Sequence, residues 1–167
     1  NIGIIYRNYG DRKRENQLIK IAKACKKNGF KLFVSNDVKL AHKFKADGIY
    51  IPSFNKKKRF FNLEKKDTII LGSAHNQKEI SEKISQNCNA IFLSPIFYMK
   101  KYKNFLNLHK FNYLSKRNDI NIYALGGISP KNIRKLKLLY INGFAGIRIY
   151  KKKPASLRPV LLKNNFF

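Results

Sequence analysis

Seven short runs of consecutive apolar residues punctuate the chain: Ile2–Tyr6, Lys31–Ser35, Gly48–Ile51, Thr68–Leu71, Ala90–Leu93, Asn121–Leu125 and Ala145–Ile149. They read as strands buried on both faces, because a half-exposed strand would alternate apolar and polar positions. Between them the spacing turns helical. Arg14–Lys27 places Leu18, Ile21, Ala22 and Cys25 on one face, Val38–Phe44 groups Leu40, Ala41 and Phe44, and Gln77–Ile84 pairs Ile80 with Ile84. Leu108–Leu114 and Ile133–Tyr140 repeat the period. Strands alternating with helices predict a parallel sheet, since a hairpin cannot join parallel neighbours.

The stretch from Tyr123 to Asn132, with Gly143 to Ile149 after it, shows which end of such a sheet to search. A strand ends in Gly126-Gly127, a Ser-Pro helix start follows, and another apolar strand comes next. Glycine lets the backbone come close to a ligand, often a phosphate. The C-terminal ends of parallel strands are where α/β proteins bind ligands. A helix starting near Ser129 would aim free N–H groups at an anion. On this reading, Gly127→Val abolishes phosphate binding and leaves the fold intact.

The strands and helices fit a doubly wound sheet or a (β/α)8 TIM-type barrel. Functional-looking turns after nearly every strand favour the barrel. A barrel needs eight strands and typically about 250 residues, so the chain reads as one β/α unit short. Its 167 residues form one domain, 1–167, with 44% apolar residues for a core.

No apolar run approaches the roughly 18 to 20 residues of a membrane span, so no membrane partner is expected. The N-terminus lacks the flanks of a signal peptide, and its first residue is Asn rather than Met, so an incomplete start is expected. Cys25 and Cys88 have no Cys or His at metal-binding spacing, and they read as reduced thiols of a cytoplasmic protein.

A net charge of +27 points to a polyanion partner. Lysine outnumbers arginine 28 to 8, however, and Asn, Ile, Phe and Tyr are abundant, as AT-rich coding would produce. Nucleic-acid readers favour Arg for bidentate contacts. The expectation is weak, salt-dependent, non-specific nucleic-acid binding, with the Lys56–Lys58 and Lys100–Lys103 runs as solvated loops. Assembly into a homo-oligomer stays open.

Read together, the turns carry a family resemblance. They are Asn36-Asp37, Ala46-Asp47-Gly48, Gly72-Ser73-Ala74-His75, Ser94-Pro95-Ile96-Phe97, Gly126-Gly127-Ile128 and Gly143-Phe144-Ala145-Gly146. In this order and spacing the set resembles the thiamine phosphate synthase / TenI family over about residues 2 to 150. The resemblance implies a (β/α)8 barrel in which Ile2–Tyr6 takes the second strand's place, so the missing unit is the first.

The resemblance also implies chemistry: hydroxymethylpyrimidine diphosphate and thiazole phosphate join, with release of pyrophosphate. Such a reaction needs cationic stabilisation of the leaving group and phosphate cradling by backbone amides. It implies small phosphorylated substrates as partners and Mg²⁺ as cofactor. Arg7, Asn36, Lys101 and Lys103 would be catalytic. Ser73, Gly126, Gly127 and Gly146 would hold phosphate, and Asp37 would ligate the metal at a weak site. Asn36-Asp37 also suits a helix N-cap, as does Ser73, and the glycines suit a tight turn. His75 reads as structural, and His42 and His109 as surface residues.

The chain departs from the family pattern at Ile5 and Tyr9, where Gln and a phosphate-binding Lys would stand. It departs again at Asn55, the second metal Asp, and at Ser94, the first Gly of its turn. Tyr98–Lys103 lacks the family's threonines around Met99, and Tyr150-Lys151 replaces a final Ser. Three readings follow: a divergent synthase, a non-catalytic phosphate-binding barrel, or a TenI-like enzyme acting on a thiazole phosphate. A non-specific polyanion binder is the outside alternative.

Overall fold

The apolar runs become the staves of a barrel. The computed structural model describes residues 2–9, 14–57, 68–100, 102, 104–146 and, for the backbone, 159–162. In chain order these are β1 (Ile2–Tyr6), α1 (Arg14–Asn28), β2 (Lys31–Ser35), α2 (Val38–Lys43), β3 (Gly48–Ile51) and β4 (Ile69–Ala74). Then come α3 (Gln77–Ile84), β5 (Ala90–Leu93), α4 (Asn107–Lys116), β6 (Asn121–Leu125), a 3₁₀ helix (Ile133–Leu138), β7 (Gly143–Ala145) and β8 (Pro159–Leu162). Strands β1 to β7 pair in parallel and in sequence order.

Closure differs from the sequence reading. β8 runs antiparallel to both β7 and β1, with Val160 opposite Ala145 on one side and Gly3 on the other. No strand was expected there. The Ala145–Ile149 strand is Gly143–Ala145 among the described residues, and 147–150 lie outside them.

The apolar runs are continuous because both faces are covered. In β2, Leu32 and Val34 pack outward under the helices, while Phe33 joins the barrel interior with Ile5, Tyr50, Leu71, Phe92 and Tyr123. Register is pinned at the N-terminal end by one device used three times. Asp47, Asn89 and Asn142 stand just before β3, β5 and β7. Their side-chain oxygens accept from Leu32 N at 2.8 Å, Ile70 N at 2.7 Å and Ile122 N at 3.1 Å. Each also donates its own backbone N–H to the same partner residue's carbonyl.

Three expectations need correction. β4 runs on through Gly72, Ser73 and Ala74, because these pair with Ile91, Phe92 and Leu93 of β5. The last helix is a 3₁₀ helix ending at Leu138. On α3 the buried partner of Ile80 is Lys83, while Ile84 is 42% exposed. Among the described residues no helix is long and apolar enough to cross a membrane.

Candidate functional site

The C-terminal ends of the strands surround a cavity of about 430 Å³. Its floor is Ile5, Tyr50, Phe92, Leu125 and Ala145. Arg7, one residue past β1, supplies a guanidinium, and Ser53, Ser73, His75 and Ser94 form a polar arc. Gly126, Gly127 and Gly146 face it, with Met99 and Tyr102 at the rim. The structure therefore gathers Arg7, Ser73, Gly126, Gly127 and Gly146 around one space.

The glycine turn is held tightly from outside the cavity. Gly126 and Gly127 have φ of 91° and 75°, which disfavours any side chain. Ile96 N and Phe97 N donate to Leu125 O and Gly126 O at 3.0 and 3.2 Å. A Cβ on Gly127 would lie 2.5 Å from Phe97 O. Gly127→Val would thus damage the turn itself, which corrects the expectation of an intact fold. Ser129 N–H is also not free for an anion: it donates to Asn132 Oδ1 at 2.8 Å, and Asn132 Nδ2 donates to Gly127 O at 2.9 Å. No helix starts there.

His75 has a defined tautomer. Its Nδ1 lies 2.7 Å from the Ser94 carbonyl, which only accepts, so Nδ1 carries the proton. Nε2 is left to accept from the Ser53 hydroxyl at 3.2 Å. Ser53, Ser94, Met99 and Tyr102 were not singled out from the sequence as members of one site. Ser94 and Met99 stood out there only as departures from a pattern.

Asn36 and Asp37 lie apart from the cavity lining. Asp37 caps α2, accepting from Leu40 N at 2.8 Å on Oδ1, and Oδ2 takes the Arg14 guanidinium at 2.9 Å. Asn36 accepts a hydrogen bond from the Asn55 side-chain amide. The loop carrying Asn55 is pinned from below. Lys83, fully buried, donates to Asn55 O at 2.7 Å and to Gln86 Oε1 at 2.8 Å, and Gln86 Nε2 donates to Asn55 O and Lys57 O. Burial pulls the Lys83 ammonium below its ordinary pKa. The sequence signal for Lys83 was its place three residues after Ile80 on the buried face of α3.

Mg²⁺ fits these residues poorly. It prefers carboxylates, yet among the described residues no carboxylate lines the cavity, and both oxygens of Asp37 are committed. Among the described residues no cluster of three His, Cys, Asp or Glu side chains is placed to hold a metal. Lys101 and Lys103 lie outside the described residues. His42 and His109 are exposed. Cys25 and Cys88 are free thiols, pushed up by burial to about 11 and about 12.

Comparison with known proteins adds to this geometry. The family model described as thiamine monophosphate synthase matches residues 3–149. A thiamine-phosphate synthase of Prochlorococcus marinus subsp. pastoris is 32% identical over 130 residues, covering 76% of this chain and 37% of that protein. One from Flavobacterium psychrophilum is 27% identical over 139 residues, covering 75% of this chain and 65% of its own length. The chain thus spans about two fifths of the Prochlorococcus relatives. A thiamine phosphate pyrophosphorylase from Pyrococcus furiosus superposes with a TM-score of 0.72 at 16% identity, over 87% of this chain and 71% of that one, which speaks for the fold alone.

Proposed function

Because the chain belongs to the thiamine monophosphate synthase family, we propose that its cavity joins hydroxymethylpyrimidine diphosphate to a thiazole phosphate, releasing pyrophosphate. The observation that carries this reading is the meeting of Arg7, Ser73, Gly126, Gly127 and Gly146 around one cavity. The bond from the pyrimidine methylene to the diphosphate oxygen breaks, and pyrophosphate leaves with the electron pair. The thiazole nitrogen forms the new bond to that methylene carbon. No oxidant is needed.

In this proposal Arg7 meets the charge that grows on the leaving group. Gly126, Gly127 and Gly146 let a phosphate approach the backbone, and Ser73 orients it by hydrogen bonding. The apolar floor takes the flat rings and excludes water. Lys101 and Lys103, which follow Met99 in the sequence, are proposed as further cations. No step is routed through Mg²⁺, which the described residues do not suit. We place the reaction in the cytoplasm, in keeping with two reduced thiols. The full (β/α)8 form, with one more β/α unit before Ile2, belongs to the same proposal, and the single-strand gap that β8 fills between β7 and β1 supports it.

A second reading is a barrel that binds a small phosphate without turnover. The commitment of Asp37 to Arg14 and to the cap of α2 favours it. One experiment separates the two: incubate the protein with both substrates and assay thiamine phosphate by mass, while calorimetry follows thiazole phosphate alone. Product supports the synthase. Heat of binding without product supports the second reading, and neither signal removes both.

A further inference from the structure

The charges of the molecule are distributed unevenly. Eight of its nine carboxylates precede residue 83, and Asp119 is the other. Among the described residues the ion pairs are Arg14–Asp37, Lys31–Asp47, Lys43–Glu15 and Lys56–Glu82, all on the α1–α3 side. On the opposite side, α4 with its cap residue and the 3₁₀ helix expose Lys110, Lys116, Arg117, Arg134, Lys135 and Lys137. Neither element contains a carboxylate. Two of these cations contact tyrosines instead: Lys116 Nζ is 4.1 Å from the Tyr140 ring centroid, and the Arg117 guanidinium is 5.0 Å from that of Tyr113, whose hydroxyl accepts from its Nη1.

Those rings are exposed and rigidly mounted. Tyr113 and Tyr140 are 58% and 61% exposed. Asn112 clamps the segment bearing Tyr140, donating to Leu138 O at 2.8 Å and accepting from Tyr140 N at 2.9 Å. Ser115 Oγ donates to Tyr140 O. Tyr113, Lys116 and Arg117 are neighbours on α4 by their i, i+3 and i+4 spacing. The result is a strip of alternating rings and cations on a fixed backbone, away from the cavity.

We propose that this α4–3₁₀ face binds single-stranded nucleic acid without sequence preference. Its phosphates would neutralise cations that have no carboxylate partner among the described residues, and its bases would stack on Tyr113 and Tyr140. Every base has a π face, so such stacking needs no sequence code. A second copy of this chain is disfavoured, because a two-fold contact would set the same cations against each other. An anionic membrane is disfavoured because Leu138 is the one exposed large aliphatic side chain on these two elements.

The test is fluorescence anisotropy with a labelled oligothymidine of about 15 nucleotides, with heparin as an anion that has no bases. Tyr113→Ala/Tyr140→Ala should weaken oligothymidine binding at least about fivefold and leave heparin affinity within about twofold. Lys23→Ala/Lys27→Ala, on α1, should weaken both ligands slightly and equally. Tyr113→Ala alone leaves the Tyr140 clamp untouched, and should show the same oligothymidine preference if the double variant melts early. Equal losses for heparin and oligothymidine would reduce the face to a charge effect and overturn the proposal. So would no oligothymidine binding in low salt, or capture by phosphatidylserine vesicles that oligothymidine does not reverse. Thiamine phosphate assays do not enter this test, so it stands or falls apart from the proposed reaction.

Discussion

The two sides of the barrel mouth use polar residues in opposite ways. Around β1 to β3 the side chains satisfy one another: Tyr9 with Ser35 at 2.7 Å, Asn36 with Asn55, and Arg14 with Asp37. Tyr9 and Phe54 add an edge-to-face ring pair at 6.0 Å. Around β4 to β7, Ser73 and the glycine turn face the cavity and Arg7 joins them from β1, while His75 along the same wall is held by Ser53 and the Ser94 carbonyl. A polar group already paired gains little from a ligand, whereas one facing a cavity has its partner still to find. Functional residues are therefore told apart by what they touch more than by their type.

The sharpest challenge to this contrast is Gly127→Val. The new side chain meets Phe97 O and a φ of 75°, so both stability and phosphate binding should go, with a loss of about 3 kcal/mol or more in urea unfolding. Wild-type stability would show that the turn yields easily. Next in size is Arg7→Ala. It should cut product formation about 100-fold and move the unfolding free energy by less than about 0.5 kcal/mol. Undiminished turnover would remove Arg7 from the site.

Alkaline pH probes the packing behind both sectors. Cys25 lies behind β2 and Cys88 behind β4, with folded pKa values raised from 9.0 to about 11 and about 12. Their contribution is fully present below pH 9. It is lost as pH rises above 9, because only the unfolded chain then ionises. Each thiol should cost about 1.4 kcal/mol per pH unit in that window. Lys83, with its lowered pKa, opposes this until pH passes its ordinary 10.5. Cys25→Ala and Cys88→Ala should each flatten the fall in unfolding free energy measured from pH 8 to 10.5, and a slope unchanged in both would refute the burial account.

The smallest effect is expected at Asp37→Asn. Asn still caps α2, and the lost Arg14 pair is partly exposed, so stability should change by less than about 1 kcal/mol. Turnover should hardly change if the β1–β3 side is self-contained. A 100-fold loss would instead mean that Asp37 leaves Arg14 to work on substrate or metal.

Much of the fold was legible because its strands are buried on both faces. β1, β2, β3, β5 and β6 lie where their apolar runs lie. β4 was misjudged at its end because Gly72-Ser73-Ala74 has little strand character of its own, and pairing with β5 imposes it. Lys83 was hidden because long cations normally keep their charge in water. The carbonyl of Asn55, brought in from 28 residues away, and the buried Gln86 side chain together give it partners out of water.

What the chain's own pattern determined is the order and direction of β1 to β7, and the end of the barrel where glycines and polar turns collect. Periodicity and turn chemistry are local, and local preferences survive into the fold. Tertiary structure decided the antiparallel closure by β8, because strand direction depends on which edges remain unpaired. It also decided the fate of Asn36-Asp37. That dipeptide suits a cap or a ligand equally well until Arg14 reaches it from the start of α1, and the distance across the mouth is set by packing that no short stretch of sequence contains.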